Sequence, residues 1–233
     1  MCITQKIMVI IPAFNEADSI GSVIGDIPKN LAREIVVVSN ASSDETEKNA
    51  RKAGATVLRE DARGYGYACL KGIEHAKSKP SRERPDIIVF LDGDYSDYPE
   101  EMDRLVRPII DEHFDMVIGS RALGNRQKGS MLPQAVFGNA LATTLIRWLY
   151  GASFTDLGAF RAIKFDRLLD LDMQDKTFGW TVEMQVKAAK KGLKYCEVPV
   201  SYRKRIGISK ITGTLGGTIK AGYRIIWTIF KYL

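Results

Sequence analysis

The stretch that decides the fold is Ile87-Ile88-Val89-Phe90-Leu91-Asp92-Gly93-Asp94. Five consecutive apolar residues, three of them β-branched, predict a strand buried on both faces. Such a strand belongs to a parallel α/β sheet, because helices cover both of its sides. Two carboxylates follow within three residues, where the strand leaves the sheet. Ligands of open α/β sheets bind just outside the carboxyl ends of strands. Carboxylates that close repel each other unless protons or a cation neutralise them. Hard oxygen donors suit Mg2+ or Mn2+, ions that take one or two carboxylates and complete their shells with substrate phosphates. The octet therefore predicts a metal-bridged diphosphate at Asp92 and Asp94. A solvated Asp-Gly turn is the competing reading.

Working outward, strand and helix patterns alternate over the first 121 residues. Apolar runs at 6–12, 34–39, 56–60, 86–91 and 114–120 predict five strands. Helices are expected at about 17–27, 42–53, 64–77 and 99–112, with Ser19 and Asp44 in cap positions and Gly54 as a stop. This alternation implies a mainly parallel sheet with right-handed crossovers. Beyond Arg121 the rhythm changes. Residues 121–132 are rich in Gly, Asn and Lys and predict a mobile loop. Helices follow at 134–150, 179–191 and 218–233, with a turn into a short strand at 156–163. A strand at 194–202 carries Pro199, which favours an edge position. No repeat or linker interrupts the chain. The expectation is a single domain, 1–233, with a nucleotide-binding half (1–121), an acceptor-side half (122–215) and a C-terminal amphipathic helix (216–233).

The chain has 233 residues, 45% hydrophobic and 27% charged, enough for a sizeable core. Its net charge of +6 fits phosphorylated ligands or anionic lipid. The cations are dispersed apart from Arg203-Lys204-Arg205, so a nucleic-acid partner is not expected. Cys2, Cys69 and Cys196 are far apart, which excludes a zinc site or a disulfide framework and points to a reducing compartment. No signal-peptide pattern and no run of ~18 apolar residues is present. The expected location is the cytoplasm, with a peripheral seat on the inner face of the membrane as a second option.

Three more loops carry ligand-suited residues. In Pro12-Ala13-Phe14-Asn15-Glu16, backbone groups can read a base edge and Glu16 can bond a ribose hydroxyl. Ser39 and Asn40 open a hydroxyl- and amide-rich loop suited to a nucleoside. Gly64 and Gly66 begin a helix, where glycine permits close approach and the N-terminus favours anions. Each loop alone also reads as a helix-capping turn.

Together these loops resemble the family 2 glycosyltransferases, which have the GT-A fold and invert the anomeric centre. Within that family the chain looks most like the polyprenyl-phosphate sugar synthases of the dolichyl-phosphate mannose synthase kind. The resemblance rests on residues 9–16, 39–46, 64–72, 91–94, Pro99-Glu100, Gly119-Ser120-Arg121, 156–161, 197–200 and Ser209-Lys210. It implies a Rossmann-like, mainly parallel sheet flanked by helices, with a smaller acceptor-side sheet region. It implies that Pro12, Ala13, Phe14, Glu16, Ser39, Asn40, Gly64 and Gly93 sit at the nucleotide sugar, UDP-linked by preference and GDP-linked as the alternative. Asp92 would lie near the ribose and diphosphate, and Asp94 would ligate Mg2+ or Mn2+. Arg121, Arg161, Arg203, Arg205, Ser209 and Lys210 would bind diphosphate or acceptor phosphate. The acceptor implied is a lipid or polyprenyl phosphate.

Inversion onto a hydroxyl needs a general base, for which Asp156 and Glu183 are the candidates beside Asp92. An ionised lipid phosphate needs none. Three departures from the family pattern stand out. Ser39 replaces an Asp that commonly reads the base, with Asn40 as its neighbour. Ser96 replaces a Gln, followed by Asp97 as an extra candidate ligand. No later transmembrane helices follow. In the last helix, Leu215, Ile219, Tyr223, Ile226, Trp227 and Phe230 recur every three to four residues among Lys220, Arg224 and Lys231. That pattern suits a membrane interface or a docked core helix. The alternative functions are a sugar-phosphate nucleotidyltransferase and a non-catalytic nucleotide-sugar-binding or membrane scaffold protein.

Overall fold

The computed structural model describes residues 5–207 and 215–233. Strands β1 (Ile7–Ala13), β2 (Ala32–Asn40), β3 (Thr56–Glu60) and β4 (Ile87–Phe90) are parallel neighbours in the order β3-β2-β1-β4. All seven residues of β1 and all four of β4 are buried, which is why their apolar runs do not alternate. Helices α1 (Ile20–Asp26), α2 (Thr46–Lys52) and α3 (Tyr65–Ser78) connect these strands, α4 (Met102–Asp111) follows β4, and together they cover both faces. Alternate residues feed two cores. Met8, Ile10, Ile88 and Phe90 face the layer that holds Cys69, Ile73 and Trp180. Ile7, Val9, Ile11 and Val89 face the layer of Ile20, Val23, Leu105 and Val106.

The sheet continues through β5 (Met116–Ser120), β6 (Arg161–Lys164) and β7 (Tyr195–Pro199), giving seven strands in the order β3-β2-β1-β4-β6-β5-β7. Strand β6 runs antiparallel between β4 and β5. Strand β7 pairs with β5 alone, at the edge, as Pro199 requires. Helices α5 (Pro133–Tyr150), α6 (Phe165–Asp170), α7 (Trp180–Lys190) and α8 (Leu215–Lys231) complete the chain. The six-residue α6 has no counterpart in the sequence expectation. Tyr150 donates its hydroxyl hydrogen to the carbonyl of Ile229, tying α5 to α8. Among the described residues, no helix is long and apolar enough to cross a membrane.

The sheet positions the site by register. Ile10 lies beside Val36 on one side and Phe90 on the other. The loops after β1, β2 and β4 therefore leave the sheet together.

Candidate active site

Those loops open on a cavity of about 720 Å3. Its walls include Pro12, Ala13, Phe14 and Glu16 after β1, Asn40 after β2, and Asp92, Gly93 and Asp94 after β4. Arg63, Gly64 and Tyr65 contribute from the start of α3. Arg205 and, from α8, Lys220, Tyr223 and Arg224 close the remaining side.

The loop that starts this wall is tied to the acidic one. The Ser19 hydroxyl was expected to cap α1; it donates instead to the Gly93 carbonyl at 2.7 Å, and no side-chain cap bond forms. Asp44 does cap, accepting the Thr46 N–H at 3.0 Å. Its other oxygen accepts the Ala17 N–H, so one carboxylate joins both loops.

Asp92 and Asp94 have different surroundings. Asp94 is buried and accepts bonds from the Ser96 N–H and hydroxyl at 2.9 and 2.5 Å. Its second oxygen lies 3.0 Å from the Arg205 guanidinium, which also reaches Glu16 at 3.3 Å. Asp92 Oδ1 is sealed from solvent with no hydrogen-bond partner among the described residues. Burial first, then the charge of Asp94, push the Asp92 pKa up to about 6. The Tyr65 hydroxyl, then Arg205 and Arg121, pull the other way. An acidic pair with one orphaned oxygen fits a hard divalent cation. No group of three or more metal-ligating side chains exists among the described residues. Such a cation would therefore take most of its shell from a bound diphosphate, and Asp97 does not complete a protein cage. Asp97 is buried, and that burial, with the charge of Asp92, raises its pKa well above the usual range.

The raised pKa of Asp92 has a measurable consequence. The native state holds a proton that the unfolded chain releases at lower pH, because the folded pKa exceeds the model-peptide value of 3.8. Stability therefore falls as pH rises from about 4 to about 6, and the deficit is complete above that. In EDTA, Asp92→Asn will be more stable than wild type at neutral pH by about 1–3 kcal/mol, cavity water screening part of the cost. The difference will shrink towards pH 4. Urea unfolding at a series of pH values measures it; a pH-independent difference contradicts the assignment.

The structure brings some expected residues together and leaves others apart. Ser39 is fully buried, its hydroxyl unpartnered, beneath the wall that Asn40 lines. The Asn40 amide donates to the Ala62 carbonyl at 2.6 Å and accepts the Gly64 N–H at 2.8 Å, so it shapes the pocket wall. Gly64 and Gly66 serve packing. A Cβ at Gly64 would lie 2.2 Å from the Lys176 carbonyl, and one at Gly66 would lie 1.9 Å from that of Asp175. These glycines also admit the 175–176 backbone, while Gly64 still lines the cavity.

Arg161 is likewise corrected as a phosphate ligand. It is fully buried, and its guanidinium donates to the carbonyls of Gly158, Leu157 and Thr181. Burial lowers its pKa to about 10. Arg203 stacks on Tyr95 and Tyr98 and donates to the Tyr95 carbonyl at 2.7 Å. Of the expected cations, Arg205 lines the cavity. Ser209 and Lys210 lie outside the described residues.

Neither expected base on the acceptor side stands free. Arg121 donates three bonds to Asp156, at 2.7, 2.8 and 2.6 Å. Burial raises the Asp156 pKa, but the Arg121 charge and hydrogen bonds outweigh it and hold the carboxyl below its ordinary range. Asp156 borders a separate cavity of about 240 Å3, with Arg126 and Asn139. Glu183 has no exposed surface. It accepts the N–H groups of Gln174 and Asp175 at 2.9 and 2.6 Å and the Tyr232 hydroxyl at 2.6 Å, and pairs with Lys187 at 2.8 Å. As a general base Glu183 is corrected: it is an internal staple.

Sequence reasoning missed the α8 side of the cavity. Lys220 and Arg224 are four residues apart and share a face. Arg224 pairs with Asp175 at 3.0 Å, and Asp175 in turn accepts the N–H groups of Thr177 and Gly179. The signal was present as a cationic stripe beside the apolar one, but the apolar stripe drew the reading.

Comparisons with known proteins agree with this geometry. A family model described as Glycosyl transferase family 2 matches residues 8–171. The chain is 32% identical over 215 residues to the dolichyl-phosphate hexose transferase of Haloferax volcanii, covering 91% of this chain and 90% of that one. It is 28% identical over 225 residues to the undecaprenyl-phosphate mannosyltransferase of Micrococcus luteus, covering 91% and 90%. In structure it resembles glucosyl-3-phosphoglycerate synthase of Mycobacterium tuberculosis, solved in complex with Mn2+, uridine diphosphate and glucosyl-3-phosphoglycerate. The TM-score is 0.77 at 21% identity, over 98% of this chain and 80% of that one. The fold is GT-A-like.

Proposed function

This chain belongs to glycosyltransferase family 2, and from that premise we propose that it moves a sugar from a UDP-sugar to a polyprenyl-phosphate acceptor with inversion. The observation that carries this reading is the Asp92–Asp94 pair beside Arg205, in a cavity with room for a nucleotide sugar. The first half of the chain (1–121) holds the donor, and residues 122–215 form the acceptor side. Asp94 and Asp92 would hold Mg2+ or Mn2+. That ion supplies Lewis-acid stabilisation of the charge on the departing nucleoside diphosphate. The complexes of the mycobacterial synthase with Mn2+ and uridine diphosphate support both donor and metal.

The chain's own residues do the rest. Glu16 and Asn40 shape the nucleoside end of the pocket. Arg205 offsets the charge of Asp94 and Glu16 and can extend its fork to a diphosphate oxygen. With Asp92 assigned to the metal, the two acceptor-side carboxylates support a phosphate acceptor. Asp156 is held by Arg121 and Glu183 is sealed, so neither removes a proton from a hydroxyl. A phosphomonoester, with a second pKa of about 6, is already nucleophilic at neutral pH. The relatives acting on dolichyl and undecaprenyl phosphate support the same acceptor class.

Incubation with labelled UDP-glucose, Mn2+ and dolichyl or undecaprenyl phosphate tests the reading. The expected result is an organic-extractable glycolipid with release of UDP, lost on adding EDTA. Turnover that requires a nucleoside triphosphate and a sugar phosphate would replace this reading with nucleotidyl transfer. Binding of nucleotide sugar without any turnover of sugar donors would replace it with a scaffold.

A further inference from the structure

We infer that Arg205 guards the carboxylate site, so that metal ion and nucleoside diphosphate bind as a coupled pair. The guanidinium holds Asp94 while the site is empty and passes to the diphosphate when the ion arrives. This deepens the proposed reaction and rests on the proposed metal site.

The two oxygens of Asp94 have different duties. Oδ1 accepts both the N–H and the hydroxyl of Ser96, which fixes the plane of the carboxylate. Oδ2 faces Arg205, whose Nη2 lies 3.0 Å away. The same nitrogen donates to Glu16 Oε1 at 3.3 Å. A divalent ion at Asp94 has Oδ2 as its available oxygen, and a cation already stands there. An ion seated on that oxygen meets the guanidinium at contact distance, where like charges repel.

Arg205 is able to leave Asp94 without its segment moving. The Arg203 N–H donates to the Ser96 carbonyl and the Ile206 N–H to the Asp94 carbonyl, both at 2.9 Å. The backbone on either side of residue 205 is thus stitched to the loop that carries Asp94. The side chain is less well satisfied. Its Nε is sealed from solvent and has no hydrogen-bond partner among the described residues. A buried donor of this kind carries a cost that a new acceptor removes. Arg205 lines the cavity together with Asp92 and Asp94. A diphosphate there offers negative charge and the paired oxygens that a planar fork fits.

The coupling follows from these contacts. Without diphosphate, the ion displaces Arg205 and no anion receives the guanidinium. With diphosphate, Arg205 gains a partner and the ion gains phosphate oxygens. Each ligand raises the affinity of the other by the same factor. Direct bonds between ion and phosphate supply part of that factor, and Arg205 supplies the rest. The distinguishing mark lies in the ion alone: loss of the guanidinium will strengthen its binding. A residue that only bound phosphate would leave it unchanged.

Titration of Mn2+ with and without UDP, read by the electron paramagnetic resonance of free Mn2+ and corrected for ion held by free UDP, tests the inference. In wild type, UDP will tighten Mn2+ binding at least about tenfold. R205Q will bind Mn2+ alone at least about fivefold more tightly than wild type, and its gain from UDP will fall by at least that factor. R205K keeps the charge and will bind Mn2+ alone as wild type does. Urea unfolding shows that each variant is folded. Unchanged or weaker binding of Mn2+ alone by R205Q overturns the inference, as does equal tightening in R205K. Should R205Q not fold, wild type decides: equal Mn2+ affinity with and without UDP overturns the coupling. Mn2+–UDP binding with an unchanged R205Q profile removes this inference alone. Absence of Mn2+ binding by wild type under both conditions removes the metal reading and the inference with it.

Discussion

Asp94→Ala will abolish sugar transfer, with turnover down at least about a thousandfold. Asp94 is buried, held in one orientation by Ser96, and aimed at the cavity beside Asp92. Its removal leaves a single carboxylate to hold a divalent ion, and that carboxylate has a pKa raised to about 6. Loss of the ion withdraws several kcal/mol of transition-state charge stabilisation, and about 4 kcal/mol is a thousandfold in rate. The same variant will lose metal-dependent binding of UDP. Wild type at a hundredfold excess over Kd gains about 2.7 kcal/mol of stability. For a chain of this size that is roughly 5–10 °C in Tm. Asp94→Ala will show no Mn2+-dependent shift with UDP while still unfolding cooperatively. Retained turnover in this variant sinks the assignment of the site.

Glu183→Ala will cost about 3–5 kcal/mol of stability. The carboxylate is fully buried and satisfies two backbone N–H groups, the Tyr232 hydroxyl and the Lys187 ammonium. Alanine takes this acceptor from the Gln174 and Asp175 N–H groups and the Tyr232 hydroxyl, while Lys187 keeps the Asp172 carbonyl, and each buried donor left without a partner adds a desolvation penalty. Glu183→Gln, which keeps acceptor oxygen on the side chain, will recover part of the loss. Urea unfolding at neutral pH measures both. A general base would behave differently: Glu183→Ala would fold as wild type and lose kcat. That outcome would return Glu183 to the chemistry.

The contrast between Asp94 and Glu183 shows how much of the site was legible from sequence. The run from Ile87 to Asp94 announced itself, because a buried strand ending in paired carboxylates has few physical explanations. The strand ends at Ala13 and Asn40 were legible for the same reason. Glu183, Arg161 and Asp156 were not. A charged residue looks alike in sequence whether it meets a ligand or a backbone carbonyl, and only tertiary packing tells them apart. The packing part played by Gly64 and Gly66 was not legible either, since the backbone that crowds them comes from residues 175 and 176. In the fold, the long apolar and periodic segments were readable. The place of β6 was not, because the four residues Arg161–Lys164 carry no mark of which strands they will join.

That placement has a consequence for how the protein is made. Strand β5 pairs with β6 and β7, and both are synthesised after it. During vectorial synthesis β5 is complete at Ser120, while β6 begins at Arg161. At 5–20 residues per second, β5 waits roughly 2–8 s for its first partner. Over that interval the outer edge of β4 is also unpaired, a template for contacts with other nascent chains. Burial of this apolar edge depends on contacts distant in sequence, which makes the closing step slow. Asp92 and Asp94 follow strand β4, so the cavity end of the sheet is among the last parts of the molecule to become rigid.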